Sequence, residues 1–280
     1  MKNNLNNILK VIQKGFNKIF SKVVINNKDF ILENNNCSQT YLYDDNLTDK
    51  LFDFLGDNKM FKSIVEKLIL THKQYSVKYK GELILIINKS IKIFGNECDL
   101  NWIDTSKITG MSYLFYEMST FNGHIENWDV SNVENMNRMF LNAKAFNQPI
   151  GDWNVSKVKD MHGMFASALS FNQPIGNWNV SNVEDMTSMF CLAESFNQPI
   201  GDWDVSNVKD MYSMFSYAKA FNQPIGDWNI SNVKDISWMF NNACSFNQLL
   251  NNWDIRNIKN MNYMFTNCPI KEKYKPILNN

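Results

Sequence analysis

The chain has 280 residues with 28 basic and 28 acidic side chains, and 44% of its residues are hydrophobic and 14% aromatic. A chain of this length and apolar content can bury a sizeable core, so its composition argues against intrinsic disorder. Residues 121–270 carry 9 Lys and Arg against 14 Asp and Glu, and this acidic balance lacks the basic footprint of a nucleic-acid-binding protein.

Residues 1–28 predict a basic amphipathic helix, because they contain six lysines, no acidic residue and apolar residues at helical spacing. Such a helix either docks on the rest of the chain or a partner, or lies on an anionic membrane surface through residues 1–24. The third alternative is that the segment is disordered. No uninterrupted apolar run comes after the lysines and no cleavage site is evident, so we expect neither a secretory signal nor a membrane-spanning segment.

Residues 29–99 predict a helical region that caps the N-terminal end of the chain beyond position 99. Apolar residues recur at helical spacing between residues 49 and 95, with a break near Gly56. The segment from Lys80 to Gly95 reads as an amphipathic helix or, alternatively, as a buried strand in its LILII core. We favour the helix.

Residues 100–270 form an array of 25-residue repeats, with a C-terminal tail over residues 271–280. The hexapeptide FNQPIG begins at Phe146, Phe171, Phe196 and Phe221. A fixed period of this length is typical of solenoids, in which no unit can bury its apolar face alone. Two aromatic positions keep the same period, and we expect them to form internal columns: Trp128, Trp153, Trp178, Trp203, Trp228 and Trp253; Phe140, Phe165, Phe190, Phe215, Phe240 and Phe265.

One unit predicts a short strand and then a short helix. Between Val208 and Ala218 the apolar residues draw a helical stripe, and Ser206 is placed as its N-cap. In two sister units a serine precedes a glutamate by three residues, as in a capping box: Ser131 with Glu134, and Ser181 with Glu184. The predicted fold is therefore an α/β solenoid, a leucine-rich-repeat-like array of short strand plus short helix units with a helical N-terminal region.

Two polar columns accompany the turns. The asparagines at Asn147, Asn172, Asn197, Asn222 and Asn247 are expected to seal the turns as a hydrogen-bonded column. A second column holds Asp152, Asp202 and Asp227 with amides at Asn177 and Asn252. Stacked carboxylates invite calcium, but the interleaved amides and nearby lysines favour a plain turn. We therefore predict no metal and no cofactor.

Catalytic motifs are scarce in this chain. It has three histidines, and the five cysteines are scattered outside any metal-binding spacing, which favours free thiols. No phosphate-binding loop, dinucleotide fingerprint, zinc-protease or nucleophile-elbow motif occurs. The sequence therefore predicts a protein that is not an enzyme.

Function is expected where the units differ. The apolar positions and the NQPIG turn barely change between units, whereas the outward positions of the predicted helices vary widely. Exposed aromatic residues are favoured anchors of protein interfaces. The predicted protein-binding residues are His162, Leu192, Tyr212, Tyr217, Trp238 and Tyr263.

The unit FNQPIGDWDVSNVKDMYSMF resembles the repeats of BspA-like leucine-rich-repeat surface proteins, and the resemblance spans roughly residues 81–276. It implies a right-handed, leucine-rich-repeat-like solenoid and, as in some members, adhesion to host matrix or cell-surface proteins. The expected function is a non-enzymatic scaffold that binds a protein partner. The alternative is a structural protein tethered to a membrane by its N-terminal helix. The resemblance implies the cell surface, whereas the lack of a signal, lipoprotein motif or anchor is consistent with the cytoplasm.

Overall fold

The computed structural model describes residues 73–277 and, before them, Lys62, Val65, Glu66, Ile69 and Leu70, which are helical. The predicted amphipathic helix over residues 1–28 lies outside the described residues. The regular elements in chain order are β1 (Tyr75–Ser76), α1 (Lys80–Phe94), β2 (Ile103–Asp104) and a 3-10 helix (Glu272–Tyr274). β1 and β2 pair in parallel, with Tyr75 opposite Ile103. Among the described residues, no helix combines the length and apolarity that crossing a bilayer requires.

The prediction of a helix from Lys80 is confirmed by α1. Its apolar face buries Leu83, Ile86 and Ile87 in the same core as the first repeats. The helix ends at Gly95, where φ is 87° and the backbone N–H donates to the Ile91 carbonyl, as expected for a glycine after the last helical turn. Lys80 Nζ donates to Ser112 Oγ at 2.9 Å, so the start of α1 contacts the first repeat.

Backbone contacts between residues 25 positions apart join each repeat to the next. Isolated parallel bridges connect one position of every unit to its equivalent in the next unit. This column of bridged residues runs through Gly110, Asn135, Asp160, Asp185, Asp210, Asp235 and Asn260.

The interior consists of stacked aromatic columns, which confirms the prediction that these rings lie inside for all the predicted positions except Phe265, which is half-buried in the last unit. Phe165, Phe190 and Phe215 are fully buried, with ring centroids 5.7 Å apart from one unit to the next. Within a unit, Phe190 also stacks on Phe196 at 3.9 Å. In the tryptophan column from Trp128 to Trp253 each indole N–H donates to a carbonyl of the preceding unit, as Trp203 Nε1 does to Ile175 O at 3.1 Å. Burial and hydrogen bonding therefore both link neighbouring units.

The asparagine column is also confirmed. In every unit from 147 to 247 the asparagine backbone N–H donates to the side-chain oxygen of the preceding asparagine at 2.9 Å. The adjacent glutamine reinforces the column, since Gln198 Nε2 donates to the Asn172 carbonyl at 2.9 Å. A Cβ at Gly201 would lie 2.5 Å from the Pro224 carbonyl oxygen, so this turn requires glycine because the next unit approaches so closely.

The predicted strand and helix of each unit are replaced by turns. From Ser213 to Ala218, backbone N–H groups alternate between an acceptor in the next unit and an acceptor three residues back. Ser213 and Tyr217 have φ of 57° and 59°, which no right-handed helix contains. Stacked rings set the spacing between units at about 6 Å, whereas an α-helix with side chains is about 10 Å wide. A helix in every unit would not fit that spacing.

The predicted helix caps are replaced as well. The N–H of Ser206 donates to Asp204 Oδ1 at 3.0 Å, so the turn is closed by the aspartate two residues before the serine. The glutamates of the predicted capping boxes reach sideways to the next unit: Glu134 pairs with Lys159 at 2.8 Å, and Glu184 pairs with Lys209. With no helix terminus at these described positions, the carboxylates have no free helical N–H groups to cap.

Candidate functional site

All six residues predicted to bind protein lie on one stretch of the unit, which we call the turn segment: residues 211–220 and their equivalents at 25-residue intervals. Tyr212 belongs to a first row, Ser213 to a second and Tyr217 to a third, each row running from unit to unit. His162 shares the first row, Trp238 and Tyr263 lie in the second, and Leu192 lies in the third.

The second and third rows share a left-handed backbone. Each contains seven residues with φ between 53° and 62°. Such a backbone costs residues with a Cβ roughly 1–2 kcal/mol, and glycine and asparagine are the residues that tolerate it. The second row is Tyr113, Arg138, Gly163, Ser188, Ser213, Trp238 and Tyr263, and the third is Glu117, Asn142, Ser167, Leu192, Tyr217, Asn242 and Asn267.

Large side chains project from these rows towards solvent. Tyr263 is 62% exposed, and Leu192, Tyr217 and Trp238 are 37–41% exposed. The rings of Trp238 and Tyr263 lie 4.9 Å apart, so the structure brings these two predicted residues together. Tyr212 is similarly exposed but belongs to the first row, which has an ordinary backbone. The predicted aromatic patch is thus one ring pair with separate exposed neighbours.

His162 lies in a different environment from the other five. It is half-buried, and its Nε2 lies 3.0 Å from a guanidinium nitrogen of Arg138. Burial, and then the charge of Arg138, lower the pKa of His162 below its usual range. Its imidazole is therefore neutral near pH 7 and serves as a contact of Arg138.

Arg138 is the centre of a cluster that the sequence prediction missed. Its guanidinium donates to the Tyr113 hydroxyl and lies 5.6 Å from the centre of that ring. A Cβ added to Gly163 would lie 3.2 Å from the Arg138 side chain, so the glycine leaves room for it. A signal was available, since the chain has only two arginines among 28 basic residues.

The predicted aspartate column is exposed, with Asp152, Asp202 and Asp227 at turns. A second column of aspartates lies among the bridged residues, and there Asp210 Oδ1 accepts the backbone N–H of Tyr212 at 2.8 Å. Within the part of the chain that the structure describes, no three His, Cys, Asp or Glu side chains are grouped to hold a metal ion.

The described cysteines are all unpaired: Cys98, Cys191, Cys244 and Cys268. Burial raises the pKa of the Cys98 thiol to about 11 and also raises that of Cys191. Both thiols are therefore protonated near neutral pH and unreactive.

The repeat sequence has a counterpart among known families. Two overlapping stretches, residues 88–195 and 173–276, match the family described as Mycoplasma protein of unknown function, DUF285. The chain belongs to this family. The family domain occurs twice, which agrees with a tandem-repeat protein in the neighbourhood of the BspA-like repeats. No match was found among curated proteins or among solved structures.

Proposed function

We propose that this DUF285 protein is a non-enzymatic, leucine-rich-repeat-like solenoid that binds a protein partner through its turn segments, as an adhesion scaffold does. The contacts between equivalent residues of successive units support the solenoid. The observation that carries the binding role is the occupancy of the second and third rows. Leu192, Tyr217, Trp238 and Tyr263 are large exposed residues on a left-handed backbone.

The energetic cost of these side chains supports the binding role. The left-handed backbone favours glycine or asparagine, and Gly163 and Asn242 show that these rows accept both. A bulky residue there gives up about 1–2 kcal/mol without filling the core. Tryptophan and tyrosine are the side chains that most often anchor protein interfaces. The free energy of contact with a partner would offset this backbone cost.

The test of this proposal uses replacements that already occur at the same row positions in other units. Serine occurs in all three rows, at Ser237, Ser188 and Ser167, so a variant with serine at Leu192, Tyr212, Tyr217, Trp238 and Tyr263 should keep the fold. Full-length protein and this variant are immobilised and exposed to a panel of purified extracellular-matrix and cell-surface proteins. We expect one panel protein to bind the natural chain and to lose at least tenfold in affinity for the variant, as for loss of one anchor worth about 2 kcal/mol.

A second variant controls for charge and for general surface changes. Asp152, Asp202 and Asp227 are changed to asparagine, which the same column already holds at Asn177 and Asn252. Binding should be unaffected, because this column is separate from the turn segments. Equal affinity of the natural chain and the serine variant, or binding lost only in the asparagine variant, would refute the turn segments as the binding surface.

A further inference from the structure

Most of the backbone hydrogen bonds that a turn segment donates to a neighbouring unit run towards the C-terminus. In each turn segment four alternate N–H groups donate forward to the next unit. Met211 donates to Asp235 at 3.0 Å, and Ser213, Phe215 and Tyr217 donate to carbonyls of residues 237, 239 and 241 at 2.8–2.9 Å. Every unit therefore needs four acceptors on its C-terminal side.

In the last unit these four donors are Met261, Tyr263, Phe265 and Asn267, and no residue described up to position 277 accepts from them. We call this row and the side chains beside it the C-terminal edge. Met261 and Phe265 are half-buried there, whereas their equivalents Met211 and Phe215 are fully buried. Within the described residues, the edge thus carries donors without an acceptor and partly exposed apolar side chains.

The C-terminal tail covers a different part of the last unit. Tyr274 O accepts the N–H of Leu250 at 2.7 Å, and the N–H of Lys271 donates to Asn247 Oδ1 at 3.0 Å, which continues the asparagine column by one step. The tail therefore closes the turn side and also reaches the C-terminal edge at Phe265, where Lys275 Nζ lies 5.7 Å from the centre of the ring. Its described residues supply no acceptor to the four N–H donors of the edge.

Charge at this end is opposite to that of the array. Residues 253–277 carry five basic and two acidic side chains, and both acids are already paired, Asp254 with Arg256 and Glu272 with Lys275. The column next to the bridged residues alternates Glu134, Lys159, Glu184 and Lys209, with ion pairs between units, and then continues as Lys234 and Lys259. Among the described residues neither of these last two lysines has an acidic partner.

We propose that the C-terminal edge binds an extended segment of another protein, with an acidic residue opposite Lys259. The segment's alternate carbonyls accept from Met261, Tyr263, Phe265 and Asn267, as the next unit would, in the manner of a strand added to a sheet edge. Its carboxylate pairs with Lys259 as Glu184 pairs with Lys209, and its apolar residues cover Met261 and Phe265.

A second copy of this chain fits the edge less well. Two C-terminal edges facing each other would present donors to donors. The carbonyls that could accept from such an edge lie at the N-terminal end of the array. There α1 contacts the first unit through Lys80 and Ser112, and Phe115 is fully buried. The N-terminal end is thus covered, so head-to-tail stacking would require α1 to move.

The test uses a peptide with the sequence of residues 132–143, NVENMNRMFLNA. In the intact protein its carbonyls at Asn135, Asn137, Met139 and Leu141 already accept from the preceding unit at 2.8–2.9 Å. We expect saturable binding of the labelled peptide to the full chain in fluorescence anisotropy. Hydrogen exchange should show new protection in residues 259–268. A scrambled peptide should not bind.

Charge reversal assigns the acidic contact. Lys259→Glu should weaken binding about two- to fivefold, because an exposed ion pair is lost. A peptide carrying Glu134→Lys should restore binding to this variant. Lys234→Glu, one unit further inward in the same column, should have a smaller effect. Four results would overturn the proposal: no saturable binding by folded protein, protection elsewhere than residues 259–268, binding insensitive to Lys259→Glu, or self-association that protects this edge without peptide.

Discussion

The interior and the turn face of this protein share one backbone repeat, yet they differ in how much their side chains vary. Phe190 lies between Phe165 and Phe215, each 5.7 Å away, so any change there alters contacts in three units. Trp238 lies in a row where other units have glycine, serine, arginine or tyrosine. Stacking constrains the identity of a side chain only where the side chain is enclosed by both neighbouring units. The exposed rows lack this constraint, so their residues can vary and serve another function.

Removing one ring from the interior should have the largest effect. Phe190→Ala leaves a cavity between two stacked rings, and we expect a loss of about 3–5 kcal/mol in the free energy of unfolding. Phe265→Ala at the C-terminal end should cost less than half as much, because Phe265 is half-buried and stacks on Phe240 alone among the described phenylalanines. Urea denaturation monitored by tryptophan fluorescence measures both. Equal losses of unfolding free energy in the two variants would show that enclosure by two neighbouring units does not determine how strongly a substitution in the interior destabilises the protein.

A methyl group added where two units approach closely should cause the next largest loss of stability. In Gly201→Ala the new Cβ would lie 2.5 Å from the Pro224 carbonyl oxygen, and overpacking of this kind costs about 1–3 kcal/mol. Gly110→Ala is the matched control, because no atom lies within 4 Å of its Cβ position. Thermal unfolding of both variants tests the prediction. A Gly110→Ala variant as unstable as Gly201→Ala would contradict the role given to the turn.

The repeat period, the aromatic columns, the asparagine column and α1 could all be predicted from the sequence, because each depends on contacts that regular spacing itself dictates. The turn segments could not. The apolar spacing of Val208, Met211 and Phe215 suits a helix as well as a series of turns, and Ser213 and Tyr217 give no sign of a positive φ. Gly163 and the asparagines at 142, 242 and 267 were the available hint.

The binding residues were only partly predictable for a related reason. Which side chains are exposed depends on the repeat register, and five of the six predicted residues are exposed. Whether rings meet depends on side-chain direction across units, which placed Trp238 beside Tyr263 and His162 against Arg138. The C-terminal edge was missed because the direction of hydrogen bonds between units cannot be seen in residue identities.

The asparagine column should show an intermediate effect. Asn197 Oδ1 accepts from the Asn222 N–H at 2.9 Å and from Gln223 Nε2 at 3.0 Å, so Asn197→Ala leaves two donors in the next unit without this acceptor. We expect a loss of about 1–2 kcal/mol in unfolding free energy. Asn177→Ala, at an exposed turn position, should change stability by less than about 0.5 kcal/mol. Chemical denaturation that ranks the two variants in the opposite order would argue against a sealing role.

The smallest expected effect has the opposite sign and tests the turn face directly. Ser188 has φ of 55°, so Ser188→Gly relieves about 1–2 kcal/mol of left-handed cost and loses about 0.5–1 kcal/mol through greater freedom of the unfolded chain. The net expectation is a gain of about 0.5 kcal/mol. Ser156→Gly, where φ is not positive, should instead lose stability. Differential scanning calorimetry resolves the two signs. If Ser188→Gly also destabilises the protein, the left-handed rows carry no backbone cost, and the bulky residues at Trp238 and Tyr263 need no partner contact to account for them.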